Sequence, residues 1–272
     1  MSTFIAPPFK IPQTFYDDLK KLGPLVDLGK QIKSLGDNID ARMPGKPFTN
    51  FQLVVRIIFR KGFQTYLSTQ NLCRCGCGSD ALSLCGSLFE NWINLKYIVQ
   101  DADSLSTQYI QYNVLGKYYR AVRVEGQIPE SMKPQFNSNR AELEKRMNEL
   151  RADFKEKGYG WSKKSLYSRA IAVGAESEYA GDYWVFCGHK HTEPTALDDF
   201  VGGVGGGMDI ILGPSMKNIY HATFWSTAYF LRLCEEVQHI HDLPCRADID
   251  KIQNGFMAIV KQVQDNHPEL CY

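Results

Sequence analysis

Helical spacing runs through most of this chain, and it restricts the fold more than any other feature. Apolar residues recur at intervals of three and four in eight segments, most of them bounded by Gly, Pro, Asn or Ser. These segments lie near residues 13–33, 49–70, 79–101, 105–124, 137–157, 164–187, 215–240 and 247–266. Few stretches alternate with a period of two, so no sheet is expected. The sequence predicts an all-α protein, a single bundle-like domain of about seven or eight helices.

The chain length and charge set the domain organisation and narrow the range of partners. We expect residues 1–45 to form an N-terminal arm and first helix, packed either on the bundle or on a partner subunit. Residues 46–272 then form the helical domain. A chain of 272 residues can bury a large core without disulfides or metal, and no cofactor is predicted. The net charge of +1 gives no general attraction for nucleic acid or membranes, so such binding requires a local patch.

The distribution of apolar residues favours a cytoplasmic protein. The N-terminal stretch lacks an early basic region and is broken by Pro7 and Pro8, which does not fit a secretory signal. The most apolar long segment begins at Ile219 and contains His221, Arg232 and two glutamates. A bilayer core penalises such residues, so we interpret the segment as a buried helix and expect no membrane association.

A cysteine-rich stretch, CRCGCG, contains three cysteines at alternate positions: Cys73, Cys75 and Cys77. One interpretation is a metal site that Cys85 completes. Zinc signatures, however, usually pair two short spacings across a connecting segment, and here there is one cluster. The favoured alternative is a tight glycine-containing loop before a helix capped by Ser79 or Asp80.

The segment after this loop predicts a helix that is apolar on two sides. Its narrow remaining face carries polar side chains: Ser83, Ser87, Glu90 and Asn94, with Tyr97 at the edge. The face is either a solvent-exposed stripe or part of an internal cleft. In a cleft, Glu90 would hold a cation or an arginine, because a buried carboxylate must be paired.

The same segment, GSDALSLCGSLFENWINLKYI, resembles the signature helix of domain of unknown function family 5677. That helix typically contains an arginine, small or apolar residues, a glutamate, then an asparagine and aromatic stretch ending in tyrosine and isoleucine. The matching residues here are Glu90, Asn94, Tyr97 and Ile98. Gly86 stands at the usual arginine position, so an arginine-dependent role of this helix is not carried over.

The family's second recurrent element has a tyrosine, a serine and a histidine at four-residue steps, often followed by proline. The stretch YWVFCGHKHTEP is similar, with Tyr183 and His191 at those steps, Pro194 beyond them and Cys187 in place of the serine. The resemblance covers about residues 50–200. It implies an all-helical bundle and no established chemistry.

Two groups of residues are candidates for catalysis. On one continuous helix, Tyr183, Cys187 and His191 share a face and present a hydroxyl, a thiol and an imidazole. His191 either joins Cys187 as a nucleophile pair or bonds the last carbonyls of its helix. Arg232 and His239 lie two helical turns apart, a spacing similar to that of helical ribonucleases of the HEPN type. The polar residue that usually follows the arginine there is replaced by Leu233.

Three further patterns have both a functional and a structural interpretation. The pairs His189/His191 and His239/His241, with Cys187 and Cys245, are either zinc ligands or histidines of loops and helix ends. The run GGVGGG is either a hinge that moves a lid over His191 or a phosphate-binding loop. The basic residues around Trp161 either hold phosphates or are solvated: Lys155, Lys157, Lys163 and Lys164, with Tyr159.

The sequence supports two function hypotheses. The first is a metal-independent endoribonuclease or RNA-binding protein of defence or toxin type. It uses either Arg232 and His239, or a cleft that joins Glu90, Tyr183 and His191. The second is a non-enzymatic protein–protein interaction module, in which these polar residues form a structural network. The expected partners are RNA, a protein partner or a second copy in a homo-oligomer, and a binder of metal or small molecules ranks third.

Overall fold

The computed structural model of the chain describes residues 13–45, 49–150, 154, 160–191, 194, 201–202, 209–210 and 213–271. It confirms the all-α prediction, and its helices outnumber the seven or eight expected. The α-helices are α1 (Gln13–Lys21), α2 (Gly23–Arg42), α3 (Asn50–Arg74), α4 (Gly78–Val99), α5 (Ala102–Val124), α6 (Lys133–Leu150), α7 (Leu166–Ala172), α8 (Glu176–Glu178), α9 (Trp184–Lys190), α10 (Ile219–His241) and α11 (Arg246–Asn266).

Two predicted segments each divide into shorter helices. The segment near 13–33 breaks at Leu22 because Pro24 starts a new helix, and proline fits the first turn, where its missing N–H is not needed. The segment near 164–187 ends its first helix at Ala172. A second helical rod follows, in which the π-helical turn Tyr179–Tyr183 joins α8 to α9. We call residues 176–190 the α8–α9 rod.

One short strand pair adds to the helices. Val201–Gly202 (β1) pairs antiparallel with Asp209–Ile210 (β2), with Val201 opposite Ile210. Each strand has only two residues, so the pair does not alter the fold class. The predicted glycine hinge lies mostly between these strands and therefore falls largely outside the described residues.

The core is centred on α4, which packs between α3 and α10. Leu88 and Phe89 of α4 are fully buried there. Across the core, the rings of Tyr66 and Phe230 stack with centroids 4.9 Å apart. A Cβ atom at Gly62 would lie 2.3 Å from Leu233 Cδ2, so the contact between α3 and α10 depends on that glycine. The buried side chains of α2 belong to the same core.

A helical hairpin, made by α6 and the end of α5, extends from this core. Its buried apolar side chains among the described residues are Val114, Leu115 and Met147, none of which belongs to the main cluster. Most other side chains of α6 are exposed or half-buried. Such a polar surface is that of a solvated helix.

The CRCGCG stretch forms the tight turn between α3 and α4. Gly76 has a φ of 78°, and a Cβ atom there would lie 2.5 Å from Pro214 Cβ, so both backbone conformation and space require glycine. The predicted cap by Ser79 or Asp80 is wrong, because α4 already begins at Gly78, with Cys77 at the N-cap. The thiols differ in exposure, since Cys73 is buried and Cys75 is exposed.

Candidate functional site

Glu90 lies where α4 meets α9. The Tyr183 hydroxyl donates a hydrogen bond of 2.8 Å to Glu90 Oε1, and Lys190 Nζ lies 3.9 Å from the same oxygen. The Glu90 side chain keeps 36% of its surface exposed. The polar face of α4 is therefore partly covered by α9, and its carboxylate is paired with a hydroxyl and an ammonium group.

The glycine at the usual arginine position explains how α9 comes so close. A Cβ atom at Gly86 would lie 3.2 Å from Phe186 Cβ and 3.8 Å from Tyr183 Cε2. A long side chain at this position would push α9 away from α4. The departure from the family pattern therefore permits the contact that brings Tyr183 to Glu90.

Arg169 of α7 faces the same side of α4 and was missed by the sequence analysis. Its side chain is buried, and Arg169 Nη1 donates to Ser162 Oγ at 2.7 Å and to the Lys164 carbonyl at 3.0 Å. Burial lowers the pKa of Arg169, while the Glu90 charge opposes that change. Arg169 Nε and Asn94 Oδ1 are both buried and have no hydrogen-bond partner within the described part of the chain. No motif marks Arg169, because its role depends on the packing of α7.

A second polar cluster joins the α8–α9 rod to α10. Arg232 places its guanidinium 4.7 Å from the Trp92 ring centroid and 5.4 Å from that of Tyr229. Its Nη1 donates to Glu178 Oε1 at 3.2 Å. The Tyr229 hydroxyl donates to Asp182 Oδ2 at 2.6 Å. Aromatic faces and a carboxylate therefore surround the Arg232 cation.

The π-helical turn gives adjacent residues different partners. Asp182 bonds to Tyr229 of α10, whereas Tyr183 bonds to Glu90 of α4. A π-helical turn carries one residue more than an α-helical turn and so re-aims the side chains that follow it. The wide turn thus lets one short rod bond to both α4 and α10.

Burial sets the protonation of these groups. It raises the pKa of Tyr183 and of Tyr229, and the charges of Glu90 and Asp182 raise these pKa values further. Both tyrosines are therefore hydrogen-bond donors at neutral pH and not bases. Burial also raises the pKa of Asp182, although the hydrogen bond from Tyr229 opposes this change.

The structure brings together only part of the predicted catalytic groups. His191 is exposed at the end of α9, where its backbone N–H donates to the Cys187 carbonyl. Among the described residues, its side chain forms no hydrogen bond or ion pair with Glu90 or Tyr183. His239 is exposed on α10, the helix that also carries Arg232.

Metal and phosphate binding gain little support from the described part of the chain. Within it, no group of three or more His, Cys, Asp or Glu side chains could hold a metal ion. His189 and His221 lie near each other, and the pKa of His221 is lowered by burial and then by His189. Of the predicted basic group, Lys155, Lys157 and Tyr159 fall outside the described residues. Lys164 Nζ lies 5.3 Å from the Tyr97 ring centroid.

These features define an all-helical protein in which tyrosine–carboxylate and arginine–carboxylate contacts fix a short rod on the core. The model of the Family of unknown function (DUF5677) matches residues 52–208, more than half of the chain. The chain belongs to this family. No curated protein and no solved structure matches the chain. No helix in the described ranges is long and apolar enough to cross a membrane.

Proposed function

We propose that the chain is a protein–protein interaction module and not an enzyme. The outward face of the α8–α9 rod carries this proposal. Trp184 and Val185 are 60% and 52% exposed there, although both neighbours in the sequence are held inward. Tyr183 bonds to Glu90, and Phe186 is fully buried. The inner contacts fix the rotation of the rod, so Trp184 must point outward.

An exposed tryptophan beside a second apolar residue is typical of a binding surface. Tryptophan is enriched at interface centres, where its large ring is removed from water. In this view the two polar clusters have a structural role. They hold the rod on α4 and α10, and the rod presents Trp184 and Val185 to a partner.

The contacts of Arg232 favour this function over RNA cleavage. In a ribonuclease, the arginine must stabilise the charge of the phosphate that reacts. Here Glu178 accepts a hydrogen bond from Arg232, and the rings of Trp92 and Tyr229 stack against it. A phosphate would have to displace that carboxylate. It would also approach a second acidic residue, Glu236, which lies one helical turn further along α10.

The first experiment places a photo-activated cross-linking residue at Val185 in the full chain, within the cells that express it. The matched control carries the same cross-linking residue at Met257 of α11. The Met257 side chain is 60% exposed, as much as that of Trp184. We expect adducts from position 185 and not from position 257. Adducts from neither position, or equally from both, would contradict the proposal.

The second experiment tests the enzymatic hypothesis directly. A mixed pool of labelled RNA is incubated with the wild type, Arg232→Gln and His239→Ala, with and without EDTA. Arg246→Gln is the matched control, because Arg246 also forms ion pairs, with Glu235 and Asp250. We expect no cleavage. Cleavage that resists EDTA and is lost in the Arg232 or His239 variant, but not in the control, would overturn the proposal.

A further inference from the structure

We propose that the partner of the α8–α9 rod is a second copy of this chain, paired antiparallel about a two-fold axis. This inference rests on the proposed function and specifies its partner. It comes from the order of the side chains along the rod, which is complementary to itself when the rod is reversed.

The exposed residues along the rod occur in pairs, of which the first three are four residues apart and the last includes His191, the residue directly after the rod. Their character changes from acidic, through small and then bulky apolar, to basic. The pairs are Glu176 and Ser177, Ala180 and Gly181, Trp184 and Val185, and Lys190 and His191. Every residue of these four pairs is exposed.

One antiparallel register opposes the two central pairs and brings the acidic end of one rod to the basic end of the other. When Trp184 of one copy lies over Gly181 of the other, Val185 lies over Ala180, so bulky side chains meet small ones. The same register places Glu176 opposite position 189, so that Lys190, the next residue along the rod, is its nearest exposed basic neighbour. A two-fold interface repeats each contact twice, so a single complementary register suffices. A parallel pairing in register would instead place Trp184 on Trp184 and Glu176 on Glu176.

The surface above Gly181 has room for the tryptophan of a second copy. A Cβ atom at Gly181 would meet no atom within 4 Å. Small residues at this point let two helices approach to the short end of the usual interaxial range, about 8 Å. Trp184 of each copy would then cover the open backbone of the other.

The charges on the rod permit this approach. The acidic groups nearest its centre turn inward, since Asp182 bonds to Tyr229 and Glu178 bonds to Arg232. Glu176 accepts a hydrogen bond from Tyr167 and stays exposed. Lys190 keeps 47% of its side-chain surface exposed beside Glu90. The net charge of +1 adds little repulsion between copies.

The length of the rod determines the expected affinity. Residues 176–190 extend over about 21 Å at 1.5 Å per residue. A contact of this length is at the low end of specific interface sizes, which suits a weak and reversible dimer. We expect a dissociation constant in the micromolar range, roughly 10 to 100 µM.

Sedimentation equilibrium of the full chain over a concentration series tests self-association. The wild type should move from monomer to dimer, and Trp184→Ala should weaken the dimer at least about tenfold, as expected for an interface hot spot. Gly181→Leu should abolish the dimer by filling the position that receives Trp184. Its melting temperature should stay unchanged or rise, because nothing surrounds the new side chain and leucine favours helix.

Two controls make the test specific. Gly255→Leu in α11 fills another helical glycine with no atom within 4 Å of its Cβ position, and it should dimerise like the wild type. Glu176→Lys and Lys190→Glu should each weaken the dimer, while the double variant should restore it, because the charges exchange places.

A wild type that stays monomeric at the highest concentration overturns this inference, as does a Gly181→Leu variant that dimerises normally. The adducts formed at position 185 separate this failure from that of the proposed function. Adducts of twice the chain mass support the second copy. Adducts of other masses alone reject the second copy and retain the interaction module. An absence of adducts rejects both.

Discussion

Replacing Tyr229 by Phe tests the structural role of the cluster between the rod and α10. The change removes one hydroxyl from a side chain that is 1% exposed, and it leaves the ring packing unchanged. The hydroxyl donates to Asp182 at 2.6 Å. A hydrogen bond to a charged group contributes about 1.5 to 3 kcal/mol to the free energy of unfolding. When the bond is removed, the free-energy cost of burying the carboxylate remains and is no longer offset.

Asp182 is half-buried, so water replaces part of the lost hydrogen bond. We therefore expect a decrease of about 1 to 2 kcal/mol in the free energy of unfolding at neutral pH. For a chain of this size, that decrease lowers the Tm by roughly 2 to 8 °C. Urea unfolding followed by circular dichroism measures the free energy, and a thermal scan measures the Tm.

The effect should depend on pH with a definite sign. The pKa of Asp182 in the folded protein lies above its usual value of 3.8, so stability falls as pH rises from that value through the folded pKa. Tyr229 lowers this pKa, and its removal must raise it further and deepen the fall. The difference between wild type and variant should therefore be smaller at acidic pH than at neutral pH, because protonation of Asp182 removes the charge that the Tyr229 hydroxyl stabilises.

Tyr167→Phe is the matched control. Its hydroxyl donates to the Glu176 carboxylate at 2.7 Å, but at an exposed position. We expect a loss of at most about 0.5 kcal/mol, as for other surface changes. Equal losses from the two variants would refute the role of burial. A Tyr229→Phe effect that does not change between the two pH values would refute the part assigned to Asp182.

Two further predictions concern packing and thiol accessibility. Gly62→Ala should destabilise the fold by about 1 to 3 kcal/mol, because the new Cβ would overlap Leu233. Gly255→Ala, with open space around it, should instead stabilise the fold by up to about 1 kcal/mol. Urea unfolding measures both changes. Thiol accessibility can be measured by timed alkylation followed by peptide mass spectrometry. Exposed Cys75 should react first, whereas Cys85 should react only on unfolding, because it is buried and burial raises its pKa. The reverse order would contradict the assigned positions.

The helical periodicity made the fold class predictable. Apolar residues at three- and four-residue intervals can form one continuous buried stripe only on a helix, and the predicted starts near 49 and 79 agree with α3 and α4 to within about a residue. The break at Leu22 was missed because the apolar spacing continues past Pro24. The π-helical turn at Tyr179–Tyr183 leaves no periodic signal of its own.

The contacts within the site depended on which helices pack together. Glu90 and Tyr183 could be selected from the sequence, since the resemblance marked both, but their hydrogen bond joins residues 93 positions apart. Glu178 and Asp182 were not selected as partners of α10, because ordinary acidic residues in a polar segment carry no signal. Arg169 was missed because no local pattern shows that the packing of α7 buries it.

The sequence by itself determined that this chain folds into helices, because local spacing decides which face of each helix is apolar. It also placed Arg232 and His239 on one helix, since both lie within a single periodic segment. Only the tertiary structure decided what those side chains contact. Packing of the α8–α9 rod against α4 and α10 paired Arg232 with Glu178 and turned Trp184 outward, and such contacts depend on distances that no local pattern encodes.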